Sequence, residues 1–268
     1  MKFFTVNDLS ASYGKHEILS HLSFETETSE TIGILGANGS GKTTLLKSIC
    51  GILPHTGTCH LDGHLLEEMK PKELARLCSY IPQRSGISID ISVLDTVLMG
   101  FHPHLGFLEY PSLEMKEKAL DLIDLVGLSG KEHTNYLHIS EGQKQLCILA
   151  RTLVTNSKLL LLDEPESALD FHFRYQMLEL IRKWNKETQS TALVSLHDPM
   201  LALNNCDRLL LLADGHIASI ISPQTDSLSS MEEKLRHIYG DISIHHCVNK
   251  SGQKQIVLLK ENLFESTN

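Results

Sequence analysis

The sequence lacks any apolar run long enough to cross a membrane as a helix. A spanning helix needs ~18 consecutive apolar residues, whereas the longest candidates here cover only residues 159–162 and 209–213. The amino terminus also lacks a charged segment followed by an apolar stretch, which is the pattern of a secretory leader. We therefore expect a chain that does not cross a membrane by itself.

The cysteines lack a pairing pattern. None of the six belongs to a C-x-x-C motif, and their spacing along the chain is irregular. They are Cys50, Cys59, Cys78, Cys147, Cys206 and Cys247. Since a leader is also missing, the sequence predicts reduced thiols and a cytoplasmic location.

Basic residues are not in excess. The chain has 24 lysines and arginines against 33 acidic residues, which gives a net charge of −9. Such a chain has no strong overall positive field to attract nucleic acid, so we expect no nucleic-acid partner. At 268 residues and 41% hydrophobic, it is long enough for one α/β core with a smaller satellite subdomain.

The clearest positive signal is a glycine-rich G-x-x-x-x-G-K-[ST] segment at residues 36–43, between an apolar stretch and a helix-spaced one. Its backbone N–H groups can curl around phosphates, and the helix dipole adds positive charge. Lys42 is expected to reach the β and γ phosphates of a nucleoside triphosphate, and the Thr43 hydroxyl to ligate Mg²⁺. The alternative is a glycine-rich turn with an incidental lysine. The expected nucleotide-binding residues are Gly36, Asn38, Gly39, Ser40, Gly41, Lys42, Thr43 and Thr44.

Two acids follow a run of four leucines at residues 159–162. Such a run predicts a buried parallel strand whose carboxyl end faces a ligand crevice. Asp163 is then expected to hold Mg²⁺, directly or through water, and Glu164 to orient or polarise an attacking water. This arrangement predicts hydrolysis rather than binding alone; the alternative is a strand end capped by solvated acids.

Periodicity predicts alternating strands and helices around one helical insertion. Strands are expected at residues 2–9, 16–25, 31–35, 57–61, 78–81, 159–162, 191–196, 208–213, 216–221, 242–248 and 255–259. Helices are expected at residues 42–51, 71–77, 140–155, 170–188 and 231–239. Residues 92–137 have helical spacing throughout, and residues 222–230 have the composition of a linker.

The segment at residues 139–145 resembles the signature of the ATP-binding subunits of ABC transporters. The family usually has Leu-Ser-Gly-Gly-Gln, so Ile139 and Glu141 are departures. The resemblance implies that Ser140, Gly142 and Gln143 contact the γ-phosphate of ATP bound to a second copy. Ser140 and Gln143 also fit a helix capping box. The acid at Glu141 suits the helix dipole but repels a triphosphate unless its side chain points away.

Other family motifs occur in the expected order over residues 2–222. Tyr13 matches the aromatic that stacks on adenine, although a half-buried strand tyrosine is the alternative. Gln83 matches the residue that senses Mg²⁺ and the attacking water, and His197 the histidine that contacts the γ-phosphate. Asp170 matches the loop that crosses the dimer interface, and equally a helix N-cap. The resemblance implies catalytic Lys42, Gln83, Glu164 and His197, and magnesium ligands Thr43, Gln83 and Asp163.

The fold implied is a P-loop NTPase (RecA-like) α/β core with a mixed sheet, an antiparallel β subdomain and an inserted α-helical subdomain at about residues 84–137. Residues 1–222 would form the ATPase domain, and residues 223–268 a short extension packed on it. The implied function is that of an ATP-hydrolysing motor on the cytoplasmic side of a membrane. Its implied partners are permease subunits, a second copy of itself and, indirectly, an extracytoplasmic substrate-binding protein.

Residues 92–106 and 196–199 resemble importers of ferric siderophores, haem and vitamin B12, although Phe101 stands where that group often has arginine. An importer motor for another metal or an oxyanion remains an alternative, as does a soluble ABC ATPase of cofactor assembly, DNA repair or translation. A regulator that hydrolyses poorly is a third, if Glu141 disables the signature. We expect the histidines at 102 and 104, and the group at 245–247, to be surface residues rather than metal ligands.

Overall fold

The computed structural model describes residues 2–83 and 86–261. In chain order the strands are β1 (Phe4–Tyr13), β2 (His16–Thr26), β3 (Thr31–Gly36), β4 (His55–Leu61), β5 (His64–Leu65), β6 (Cys78–Ile81), β7 (Leu159–Asp163), β8 (Thr191–Ser195), β9 (Arg208–Ala213), β10 (His216–Ile221), β11 (Ile242–Val248) and β12 (Lys254–Lys260). The helices are α1 (Lys42–Ile49), α2 (Pro71–Leu77), α3 (Val93–Leu98), α4 (Leu113–Leu125), α5 (Glu141–Leu153), α6 (Phe171–Thr188), α7 (Pro199–Asn205) and α8 (Leu228–Tyr239). None of these helices combines the length and the apolar character that crossing a bilayer requires.

A six-stranded sheet in the order β10-β9-β3-β8-β7-β6 forms the centre of the molecule. Its strands run parallel except β10, which pairs antiparallel with β9. The carboxyl ends of β3, β6, β7 and β8 therefore meet at one edge, where ligands bind in open parallel sheets. The sheet brings the glycine-rich loop, Gln83, the two acids at the end of β7 and His197 to that edge.

The central sheet separates two apolar cores. In β7, Leu160 and Leu162 face a core shared with helices α3 to α7, whereas Leu159 and Leu161 face the opposite side. The second core is closed by α1 and by a four-stranded antiparallel sheet in the order β2-β1-β4-β5. Burial on both faces explains why β7 is uniformly apolar. The expected α/β fold with a mixed sheet and an antiparallel β layer is confirmed.

Two tight turns join neighbouring antiparallel strands. Asp62 and Gly63 have φ of 49° and 81°, and Asp214 and Gly215 have φ of 48° and 76°. Left-handed backbone at both central residues defines the tight turn that matches strand twist. The first connects β4 to β5, and the second connects β9 to β10.

The insertion between β6 and α5 is helical, as predicted, but part of it forms no regular helix. It contains α3, α4 and 3₁₀ turns at Met99–Phe101 and Tyr136–His138, with residues 102–112 outside any helix or strand. Val97, Ile123 and Tyr136 are fully buried in the core on the helical side of the sheet. The expected start of this subdomain at residue 84 lies outside the described residues.

The expected linker at residues 222–230 is partly wrong, because α8 begins at Leu228 after an N-cap at Ser227. After α8, β11 and β12 form a hairpin. Ile242, Ile244 and Ile256 belong to the helical-side core. The side-chain amide of Asn204 in α7 donates to the Ile256 carbonyl and accepts from its N–H, both at 2.8 Å. The last residues of the proposed extension, 262–268, lie outside the described residues.

Candidate active site

The glycine-rich loop joins β3 directly to α1 at the sheet edge. Gly41 has φ of 102°, and a Cβ there would lie 2.4 Å from Leu19 Cδ2, so this position requires glycine. The Lys42 ammonium curls back over the loop and donates to the carbonyls of Gly36 at 2.9 Å and Ala37 at 3.2 Å. Burial lowers the pKa of Lys42, while the nearby charges of Glu164 and Asp163 oppose the shift. The loop therefore holds the Lys42 ammonium against its own backbone.

Asp163 is held by three hydroxyl groups at the end of β7. Its Oδ1 accepts from Thr43 Oγ1 at 3.0 Å and from Ser195 Oγ at 2.8 Å, and its Oδ2 accepts from the Tyr80 hydroxyl at 3.2 Å. Only 2% of Asp163 is exposed. Burial and the Asp163 charge raise the pKa of Tyr80, which keeps its hydroxyl protonated as a donor. The sequence did not point to Ser195 or Tyr80, and the strand order supplies both.

Glu164 occupies a strained backbone position between two polar side chains. Its φ of 48° lies in the left-handed region, which is costly for a residue with a Cβ. Its N–H donates to Ser195 Oγ at 2.9 Å. One carboxylate oxygen lies 2.6 Å from His197 Nε2, and the other accepts from the Gln83 amide. The carboxylate is therefore aimed into the space above the glycine-rich loop.

A cleft of about 450 Å³ lies between these groups. The predicted site residues that line it are Asn38, Gly39, Gly41, Lys42, Thr43, Thr44, Gln83, Glu164 and His197. The structure thus brings together residues more than 150 positions apart in the chain. Tyr13 lies at the end of β1 with half of its surface exposed, at 50%. Its ring is available to a flat ligand rather than packed in the core.

Glu166 is a buried acid beside the cleft that the sequence did not single out. It is 3% exposed, and its Oε1 accepts from the His197 N–H at 3.3 Å. Its Oε2 has no hydrogen-bond partner among the described residues. Burial is the main cause that raises the pKa of Glu166, and the Glu164 charge adds to it. Glu164 and Glu166 therefore hold His197 from two sides.

The signature residues lie at the start of α5 and are not among the residues that line the cleft. The Ser140 hydroxyl accepts from the Gln143 N–H at 3.3 Å, and the Gln143 side chain accepts from the Ser140 N–H at 3.1 Å, which is the capping box foreseen above. Glu141 pairs with Lys144 at 2.7 Å, so its charge is balanced within the helix. Gly142 lies in the first turn of α5. Asp170 caps α6 by accepting from the Phe173 N–H.

A family comparison identifies the class of protein. The profile described as "ABC transporter" matches residues 19–167, more than half of the chain. The chain belongs to the ABC transporter family. Its members bind and hydrolyse ATP, and this chain is an ABC ATPase.

Individual relatives agree with that assignment. The ABC ATPase is 37% identical over 252 residues to the hemin import ATP-binding protein HmuV of Deinococcus radiodurans, covering 91% of this chain and 94% of the relative. It is 36% identical over 214 residues to an iron chelatin transport ATP-binding protein of Helicobacter pylori, covering 78% and 83%. The expected likeness to the iron-chelate importer group is confirmed by these relatives.

A solved structure shares the fold. It is a metal-chelate type ABC transporter in an inward-facing conformation, with a TM-score of 0.82 and 24% identity. The match covers 98% of the ABC ATPase and 100% of that chain. At this identity the likeness establishes the architecture alone.

Proposed function

We propose that this ABC ATPase is the motor of a membrane importer for an iron chelate, with haem, ferric siderophores and cobalamin as the substrate class. The observation that carries the motor function is the cleft in which Lys42, Gln83, Glu164 and His197 converge. The substrate class is supported by the names of the two relatives, one for hemin and one for iron chelatin. The cargo itself would bind to other subunits.

The side chains above the loop supply positioning and charge. Glu164 is placed to accept a hydrogen bond from the attacking water, because His197 and Gln83 fix both of its carboxylate oxygens. Attack on the γ-phosphorus breaks its bond to the β–γ bridging oxygen and releases ADP and phosphate. His197 and Lys42 both line the cleft, and their Nε2 and ammonium groups would donate to the charge that develops on the γ-phosphoryl group.

The donor set at the end of β7 fits Mg²⁺. The Thr43 hydroxyl and the Asp163 carboxylate are 3.0 Å apart, and magnesium prefers such hard oxygen ligands, directly or through water. Gln83 donates to Glu164 through its amide nitrogen. Its amide oxygen would be a further ligand to the ion. When bound, the ion would neutralise phosphate charge. Tyr13 would stack on adenine at the open end of the site.

Two copies would share each ATP. Ser140, Gly142 and Gln143 begin a helix whose N-terminal N–H groups suit an anion, yet none of them lines the cleft of their own chain. The α5 end of one copy, together with the loop at Asp170, would therefore close the cleft of the other. Closure and reopening would move membrane permease subunits gripped through the helical insertion, with a substrate-binding protein acting from outside. The motor would sit peripherally on the cytoplasmic side.

The dimer can be tested by light scattering on the Glu164→Gln variant, in which blocked hydrolysis should trap the ATP-bound pair. We expect a monomer without nucleotide and a dimer with MgATP. Adding Ser140→Arg should abolish dimerisation. Adding Ser112→Arg should not, although it removes an equivalent helix cap, since Ser112 accepts from the Met115 N–H at the start of α4. A persistent monomer that Glu141→Gly converts to a dimer would locate the defect in the signature.

The substrate class can be tested in cells of the source organism that lack this chain. We expect them to lose uptake of hemin, a ferric siderophore or cobalamin, with sulfate uptake as the control. The wild-type chain should restore uptake and Lys42→Ala should not. Loss of sulfate uptake alone would favour an oxyanion importer. Normal uptake of all four, with no permease co-purifying with Glu164→Gln, would favour a soluble ABC ATPase.

A further inference from the structure

Three side chains with metal-binding chemistry converge in the antiparallel layer, away from the nucleotide cleft. His55 begins β4, Cys59 follows four residues later, and Glu67 lies in the 3₁₀ turn Leu66–Glu68 after β5. The turn after β5 folds Glu67 back to both of them, since its Oε1 contacts His55 Nε2 and the Cys59 N–H. One ligand atom from each residue falls within 4.8 Å of the other two. This is the only such cluster of histidine, cysteine and acidic groups in residues 2–83 and 86–261.

The distances show a nearly formed site. His55 Nε2 lies 2.9 Å from Glu67 Oε1 and 4.0 Å from Cys59 Sγ. Ligands about 2.0–2.3 Å from a tetrahedral zinc ion lie roughly 3.3–3.7 Å from one another. A shift of Cys59 Sγ by about one ångström toward the other two ligand atoms, with a slightly longer distance from His55 Nε2 to Glu67 Oε1, would bring all three atoms to that spacing.

The surroundings favour occupancy by an ion. Cys59 is fully buried, and the His55 side chain is only 8% exposed. The Glu67 side chain is 28% exposed, which leaves an entry path from solvent. Glu67 Oε1 also accepts from the Cys59 N–H at 2.8 Å, so the backbone orients the carboxylate toward the other two groups. Such outer hydrogen bonds typically orient metal ligands.

We infer that His55, Cys59 and Glu67 bind one Zn²⁺ ion, with water at the fourth position. The combination of thiolate, imidazole and carboxylate selects zinc over magnesium or calcium, which take oxygen ligands. On binding, the Cys59 thiol releases its proton to solvent and the sulfur donates an electron pair to the ion. No oxidation is involved.

The site adjoins the strand that carries the proposed adenine contact. His55 pairs with Ala11 in β1, two residues before Tyr13 at the end of that strand. An ion that ties β4 to the turn after β5 would therefore stabilise the layer against which α1 packs. The zinc site is independent of the proposed function, since none of its ligands lines the nucleotide cleft.

The test uses the full chain, stripped of metal, reloaded with one equivalent of ZnCl₂ and dialysed, with bound zinc measured by mass spectrometry. Cobalt chloride in place of zinc should produce a thiolate-to-cobalt charge-transfer band. We expect the wild type to keep one equivalent of zinc. Cys59→Ser and Glu67→Gln should each weaken zinc binding at least about 100-fold, the upper end of the loss seen when outer hydrogen bonds alone are removed.

Cys247→Ser is the matched control, because Cys247 is an exposed thiol beside His245 and His246. It should retain both the zinc and the cobalt band. Loss of the band in Cys247→Ser but not in Cys59→Ser would overturn the assignment, as would a wild-type chain that retains no zinc. If Cys59→Ser does not fold, His55→Gln provides the same comparison, and circular dichroism establishes which variants are folded.

Discussion

Ser195 links the two acids of the active site through one hydroxyl. It donates to Asp163 at 2.8 Å and accepts from the Glu164 N–H at 2.9 Å, and it is fully buried. Ser195→Ala should therefore leave a buried N–H without a partner and lower the free energy of unfolding by about 1–3 kcal/mol. ATP turnover should fall as well, since Glu164 loses an anchor.

Urea unfolding measures this effect, and Ser48→Ala is its control. Ser48 is also fully buried, but its hydroxyl has no partner within the described residues. Its removal should change the free energy of unfolding by less than about 1 kcal/mol, because no hydrogen bond is lost. Equal losses in the two variants would mean that the Ser195 hydrogen bonds contribute nothing beyond packing.

The direction in which Glu166 makes the free energy of unfolding depend on pH follows from its pKa. Its pKa is raised in the folded chain, mainly by burial, so the folded state holds the proton more tightly than the unfolded state. The free energy of unfolding should then fall as pH rises from the ordinary range of a glutamate to the raised folded pKa. Glu166→Gln carries no such charge and should lack this part of the decline. Urea unfolding over a pH series checks it, and parallel curves for the two proteins would contradict it.

At the scale of elements, one side chain of α7 hydrogen-bonds the outer edge of the hairpin of β11 and β12. Asn204 satisfies both backbone groups of Ile256, as a neighbouring strand would. Asn204→Ala should leave these groups unpaired, weaken the docked hairpin by about 2 kcal/mol and speed hydrogen exchange across residues 242–260. In Asn205→Ala the lost bond lies within α7, to the Leu201 carbonyl, so the hairpin should exchange as in the wild type.

Local sequence patterns predicted some strands and helices correctly and missed others. The four leucines of β7 predicted a central strand, because a strand buried on both faces has no polar position. Helix α7 was missed although Asp198 and Pro199 supply an N-cap and a first-turn proline, since that segment was interpreted only for its resemblance to family motifs. The start of α8 was missed because serine and proline near residue 222 favoured a linker.

From residue chemistry alone, the site was predictable only where one segment contains that chemistry, as residues 36–44 and the acids at the end of β7 do. Gln83 and His197 were predicted through the family resemblance, and both line the cleft. Ser195 and Tyr80 could not be identified in either way, because their roles depend on β8 and β6 flanking β7. No single segment of the sequence determines the strand order. The cluster of His55, Cys59 and Glu67 likewise requires the turn after β5 to fold back.

At the scale of the whole molecule, net charge opposes the proposed dimer. Two copies, each with a charge of −9, repel one another over a Debye length of about 30 Å at 0.01 M salt but only about 8 Å at 0.15 M. Dimerisation of Glu164→Gln with MgATP should therefore strengthen as salt rises over this range. Light scattering at fixed protein concentration measures it. A dimer fraction that falls with salt would indicate that attraction between opposite charges dominates the interface.

The backbone of Glu164 has a further consequence for how this molecule can be improved. Glycine or asparagine adopts a φ of 48° with less strain than glutamate. The fold is therefore less stable because of the residue on which the proposed hydrolysis depends. Selection for heat resistance alone would tend to replace Glu164 and yield a more stable protein that no longer hydrolyses ATP. Thermostable variants of this chain should be sought at positions far from the end of β7.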